Sequence, residues 1–195
     1  MDLQKITVKF FSKETEAIPL TAFIDIFHGW IQASDGVYHD VADYSHMQAG
    51  PGIVLVAQDA NVSIDETGGR RGLLYKQKAP LKGSSSERLE QVFRSALENC
   101  RRIESEASIA GKIEFLTDET EITINDRLIA PNTDQAFQEI KPELMGFFSR
   151  LYNGSKISME RESDTRKTLT VRIKTLSRIQ IARLLENLNG TLTEN

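Results

Sequence analysis

Only one cysteine, Cys100, occurs in the 195 residues, so no disulfide can form within the chain, and such usage fits a reducing compartment. Long apolar runs are missing as well. The most apolar stretch, Ile53-Val54-Leu55-Val56, falls far short of the ~18 residues that a membrane span needs. The N-terminal MDLQKITVKFF has no basic segment followed by an apolar one, so it does not read as a secretory leader. Neither sign of charge dominates: 24 Lys and Arg stand against 28 Asp and Glu, interspersed along the chain, so the basic footprint of a nucleic-acid or anionic-membrane partner is absent. Histidines number three, and no Ser-His-Asp or Cys-His-Asn arrangement can be read from their positions. Together these absences predict a soluble, cytoplasmic protein with no membrane and no nucleic-acid partner.

What is present is a chain long enough to bury a substantial core as one domain, expected over residues 1–190 with a frayed tail at 191–195. Ile6, Val8 and Phe10 alternate as a first strand. After Ile18-Pro19, the residues Leu20, Phe23, Ile24, Phe27, Trp30 and Ile31 mark one face of a helix that carries an early proline. Ile53–Ala57, Val62 with Ile64, and Gly72–Tyr75 read as strands. Ser84 and Glu87 have capping-box spacing. From there Leu89, Val92, Phe93, Ala96, Leu97, Cys100 and Ile103 form a single stripe on a helix reaching about Glu106.

Further on, Ile113–Leu116 and Ile122–Ile124 read as a strand pair separated by Thr117–Thr120. A helical segment begins near Thr133 and restarts at Pro142, which suits a first turn better than a helix interior, and Asn153-Gly154 stops it. Ile157–Arg161 and Lys167–Lys174 alternate strictly and predict a hairpin with one wet and one buried face. Ser177 is expected to cap a last helix that Gly190 closes.

The order strand, strand, helix thus recurs three times, over residues 53–106, 113–152 and 157–189. Hairpins followed by helices predict an α+β fold, with an antiparallel or mixed sheet and helices packed on one face in two layers. Exposed sheet edges left by such hairpins make a homo-oligomer the expected self-interaction.

The stretch Val37 to Ile64 concentrates the titratable groups. His39, Asp40, Asp43 and His46 supply imidazole and carboxylate groups of the kind that hold zinc, iron or manganese when three converge. On a strand, however, only His39 and Asp43 share a face, and on a helix the groups pair only two at a time. The bland reading is a solvated loop with local hydrogen bonds, and a haem ligand is weaker still because no attachment motif is present. Gly50-Pro51-Gly52 precedes a strand and not a helix, so it reads as a tight turn and not as a phosphate cradle. In Gly68-Gly69-Arg70-Arg71-Gly72, two arginines between glycines could clamp a carboxylate or phosphate, against the reading of an ordinary hairpin loop. Cys100 lies on an apolar stripe, where a thiolate is disfavoured.

The segments DVADYSHMQAGPGIVLVAQDANVSID, GRRGLLYKQKA and EITINDRLIAPNT resemble a family of uncharacterised bacterial proteins of about this length. The resemblance covers most of the chain and implies no activity, cofactor or functional residue. Two functions follow from the residues. One is a non-enzymatic ligand-binding or protein-interaction domain, using His39, Asp43, His46, Arg70 and Arg71 at a surface formed by Tyr38–Gly52 and the arginine loop. The other is a metal-assisted enzyme using His39, Asp43 and His46.

Overall fold

A computed structural model describes residues 1, 3–47 and 50–189; the expected tail at 191–195 and the closing Gly190 lie outside the described residues. In chain order the elements are β1 (Ile6–Glu14), α1 (Thr21–Ala33), β2 (Tyr38–Asp43), β3 (Ile53–Ala57), β4 (Ala60–Asp65), β5 (Gly72–Gln77), α2 (Ser85–Glu104), β6 (Ile113–Ile124), α3 (Asp134–Leu151), β7 (Ile157–Arg161), β8 (Leu169–Thr175) and α4 (Ile181–Asn189). The strands form one open sheet in the order β2-β3-β4-β5-β1-β6-β8-β7, and every pairing is antiparallel. The fold is therefore α+β, and the antiparallel alternative of the sequence reading is the one realised.

β1 sits near the middle because its sequence satisfies both sides of a sheet. Ile6, Val8 and Phe10 are fully buried, and successive residues of a strand face opposite ways. Phe10 meets Phe93 of α2 edge to face, with ring centroids 5.9 Å apart. Phe93 also packs against Phe147 and Phe148 of α3, so one aromatic cluster ties β1 to two helices. Such ring pairs add ~0.5–1.5 kcal/mol each beyond the area that they bury.

α2 is the longest helix, and its start and its stripe are as the sequence predicts. The Ser84 side chain accepts from the Glu87 backbone N–H, while Glu87 reaches back to Ser84, forming a capping box. All seven stripe residues from Leu89 to Ile103 are buried. Cys100 is among them, and burial pushes its thiol well above its ordinary range, with Glu104 adding to the effect.

Three elements differ from expectation. Ile113–Leu116 and Ile122–Ile124 are one strand, β6, and not two. Its register with β1 shifts between Phe10, opposite Thr120, and Ser12, opposite Phe115, so Leu116–Glu119 form a wide bulge opposite Phe11. The polar interruption that looks like a turn in sequence is this bulge. α3 runs unbroken through Pro142. Pro142 and Gln138, whose carbonyl loses its partner four residues on, are both exposed, so water can satisfy that carbonyl while the buried stripe Ile140, Leu144, Phe147 continues. The last helix begins at Ile181, later than a Ser177 cap implies.

The strand-strand-helix order is present in β7, β8 and α4. The first segment places β3, β4 and β5 ahead of α2, and the middle one places only β6 ahead of α3.

Gly52 ends the turn into β3. Its φ is +64°, and a Cβ there would fall 2.0 Å from the Ile64 carbonyl oxygen, while its own carbonyl accepts from Tyr44 N–H at 2.8 Å. Gly52→Ala is expected to destabilise the fold by more than about 1 kcal/mol, read as a lowered urea midpoint with unchanged m-value; an unchanged midpoint would contradict this turn geometry.

Candidate functional site

The histidine segment lies on β2, an edge strand. His39 occupies a bulge, because Tyr38 pairs with Ala57 while Asp40 pairs with Val56. Val41 and Asp43 stand opposite Leu55 and Ile53 on one face, and Asp40 and Ala42 stand opposite Val56 and Val54 on the other. His39, Asp43 and His46 are all exposed. The Ser45 hydroxyl and backbone N–H hold the Asp43 carboxyl below its ordinary range, and His46 adds a small electrostatic contribution. Among the described residues no group of three or more His, Cys, Asp or Glu side chains is placed to hold a metal ion.

Arg70 and Arg71 diverge instead of forming one clamp. Arg70 makes a two-pronged pair with Glu119, at 2.8 and 3.0 Å, and lies 3.7 Å from the centre of the Phe11 ring. Arg71 donates to Glu66 Oε1, Glu14 Oε1 and the Ile18 carbonyl. Each guanidinium is therefore committed to this chain's own acceptors. The Arg70 contact holds the Glu119 carboxyl below its ordinary range, aided by Arg172 and Lys174.

Beneath this loop sits a buried ion pair that the sequence does not announce. Lys9 Nζ donates to Asp65 Oδ2 at 2.5 Å, to the Arg70 carbonyl at 2.7 Å and to the Thr67 carbonyl at 3.2 Å, and both side chains are almost fully buried, 6% and 4% exposed. All three ammonium protons thus have acceptors, which is what a buried lysine requires. Around it, a hollow of about 390 Å³ on the β1, β6 and β8 surface is lined by Thr7, Glu121, Thr123, Thr170 and Arg172. Its charges also pair among themselves: Arg172 with Glu121, and Lys167 with Glu162.

A second hollow has the opposite character. Two adjoining depressions of about 410 Å³ each share Tyr38, Glu98 and Asn99 and together form one groove. One side is the flank of α2 bearing Ser95, Glu98, Asn99, Arg101, Arg102 and Ser105. The other is the end of the sheet, with Tyr38, Ala57, Asp59, Ala60, Val62 and Tyr75. Ser95 to Ser105 spans ~15 Å of helix. The aromatic floor is fixed from behind: Trp30 lies 6.3 Å from Tyr38, Arg102 stacks 3.8 Å from the Trp30 ring, and the Trp30 indole N–H donates to Glu106 at 2.5 Å. Burial pushes the Tyr75 hydroxyl above its ordinary range, opposed by a Ser95 hydrogen bond and reinforced by Tyr38 and Asp59.

Among the described residues, the side chains of Asp59, Glu98 and Arg101 have no hydrogen bond or ion pair, and Arg102 has only its stack on Trp30. Among the described residues, the groove thus brings acidic and basic side chains without ion pairs next to Tyr38 and Tyr75. Tyr38, Ala57, Asp59, Ala60 and Val62 fall in the stretch Val37–Ile64 singled out from sequence, but of these only Tyr38 belongs to the Tyr38–Gly52 surface expected to bind. Glu98, Arg101 and Arg102 were legible as the polar flank of α2, but a solvated helix face carries the same pattern. Asp59 was legible only as a break in an apolar run.

No known protein family, no curated protein and no solved structure matches this chain.

The Glu119 contact predicts a pH dependence. A carboxyl whose folded value is lowered adds stability above its unfolded value, about 4.3 for glutamate, and loses that contribution as pH falls through the folded value. The difference in unfolding free energy between the native chain and Glu119→Gln should therefore be present at neutral pH and shrink as pH falls below about 4.3. Urea unfolding across that range measures it, and a pH-independent difference would contradict the assignment.

Proposed function

We propose that this chain is a cytoplasmic, non-enzymatic ligand-binding domain and that its ligand is a small molecule seated in the groove between α2 and the Tyr38 end of the sheet. In this proposal the fold is two layers, with the helices gathered over one face. What favours that arrangement is that the buried residues of all four helices join a single cluster with Ile6, Val8 and Phe10 of β1. The groove opens at the margin of that packing, where Trp30 of α1 and Arg102 of α2 meet.

The observation that carries the reading is the contrast between the two hollows. Around Lys9 and Arg70, a ligand charge has to displace an existing partner, and a displaced buried partner costs the full desolvation of the group left behind. In the groove, the side chains of Asp59, Glu98 and Arg101 have no hydrogen bond or ion pair among the described residues, so a ligand's charged atoms gain hydrogen bonds there without breaking any of those. Ligand pockets combine apolar and aromatic walls with a few such polar groups, and Tyr38, Val62 and Tyr75 supply the walls. Self-association through the free edges of β2 and β7 belongs to the same proposal, with the polar His39 side chain and the Asp40 and Asp43 carboxylates restraining it at the β2 edge.

The test is a thermal-shift screen of small polar molecules on the native chain and on a groove-filled variant, Asn99→Trp, with metal content measured on the same preparations. At least one compound should raise the melting temperature of the native chain and not that of the variant; a ligand at ~100 times its dissociation constant adds about 2.7 kcal/mol. Equal shifts in both proteins would place binding elsewhere. A stoichiometric metal lost on His46→Ala would replace this reading with the metal-assisted one.

A further inference from the structure

Resting on the groove as the binding site, we infer that its ligand is a small zwitterion with an aromatic or apolar body, of the amino-acid or dipeptide class. Three features select that chemistry. Among the described residues, the groove's charges without a hydrogen bond or ion pair are of both signs, Asp59 and Glu98 against Arg101 and the Trp30-stacked Arg102, so a ligand carrying one charge leaves the opposite pair facing it without a partner. The two signs also lie close together. Glu98 and Arg102 are four residues apart on α2, which sets their Cβ atoms about 5–6 Å apart on neighbouring turns, a spacing that suits the two ends of a short molecule. Finally, the lining shared by the two depressions includes Tyr38, backed by Trp30, and a ring or aliphatic body stacks on such a surface.

The ammonium of the ligand sits toward Asp59 and Glu98, and its carboxylate toward Arg101 and Arg102, whose planar guanidinium groups donate two parallel hydrogen bonds to a carboxylate. Asn99 contributes less. Its side-chain NH2 already donates to the Ser95 carbonyl at 2.8 Å, which leaves its amide oxygen to accept from the ligand.

The experiment uses the full chain labelled with nitrogen-15 and four compounds: phenylalanine and glycylphenylalanine as zwitterions, phenethylamine as the cation alone, and 3-phenylpropionate as the anion alone. Titration of each should be followed at the backbone amides of Tyr38, Asn99 and Ser105. The zwitterions are expected to give saturable shifts there, and each singly charged analogue to bind at least ~10-fold more weakly, the loss expected for one hydrogen bond to a charged group. Glu98→Gln should weaken the zwitterions and phenethylamine while leaving 3-phenylpropionate unchanged, and Arg101→Gln should do the reverse. Both positions are exposed, and the spectra themselves report whether each variant is folded.

If the singly charged analogues bind the groove as tightly as the zwitterions, the inference of a zwitterion is overturned and the groove stands as a binding site. If no compound moves the groove amides, the zwitterion inference is overturned. The wider binding reading then falls only if the thermal screen also finds no compound whose effect Asn99→Trp removes.

Discussion

The period-two alternation of β1 is the constraint on which the rest of this protein depends. Ile6, Val8 and Phe10 enter the core and meet the helices, while Thr7, Lys9 and Phe11 face the other way. A slip of one residue would drive Lys9 into the aromatic cluster and turn Phe10 toward the buried ion pair of the other face. The register is pinned on the polar side by the Lys9 ammonium, which reaches Asp65 at the end of β4 and two carbonyls of the loop that follows. That loop then carries Arg70 onto Phe11 and Glu119. One lysine thereby connects the central strand, a neighbouring hairpin and the bulge of β6.

Charge is divided between two tasks. On the β1, β6 and β8 surface, Glu121 pairs with Arg172 across strands and Glu119 pairs with Arg70 of the β4–β5 loop, and these pairs serve register and loop position. Along the flank of α2, Glu98 and Arg101 have no hydrogen bond or ion pair among the described residues and lie beside Tyr38. In the proposed reading, those exposed charges are the ones a ligand engages, and Tyr38 backed by Trp30 is the surface on which it rests.

Much of the fold was legible in the sequence because it is written in local signals. The capping box at Ser84 and the stripe from Leu89 to Ile103 predict α2 closely, and the alternation of Leu169, Val171 and Ile173 predicts β8. Where the sequence misleads, a non-local term decides. Thr117–Thr120 has the composition of a turn and becomes a bulge because β1 and β8 continue on either side of it. Pro142 has the signature of a helix start, but the packing of Ile140, Leu144 and Phe147 carries the helix across it. The site was less legible. Clustered histidines and paired arginines drew the eye by residue type, yet His39, Asp43 and His46 do not converge on a metal geometry among the described residues, and Arg70 and Arg71 are satisfied by glutamates 49 and 57 residues away in sequence. Whether a charged side chain is committed depends on partners that only the folded chain brings near.

Urea unfolding of two variants, side by side with the native chain, tests the division of charge most directly. Asp65→Asn leaves the Lys9 ammonium buried without its counter-charge and should cost about 3–5 kcal/mol. The double change Glu98→Gln with Arg101→Gln removes two charges from the groove and should leave stability within about 0.5 kcal/mol of the native chain. A groove variant that loses as much stability as Asp65→Asn would contradict the account, because its charges would then belong to the fold and not to a ligand.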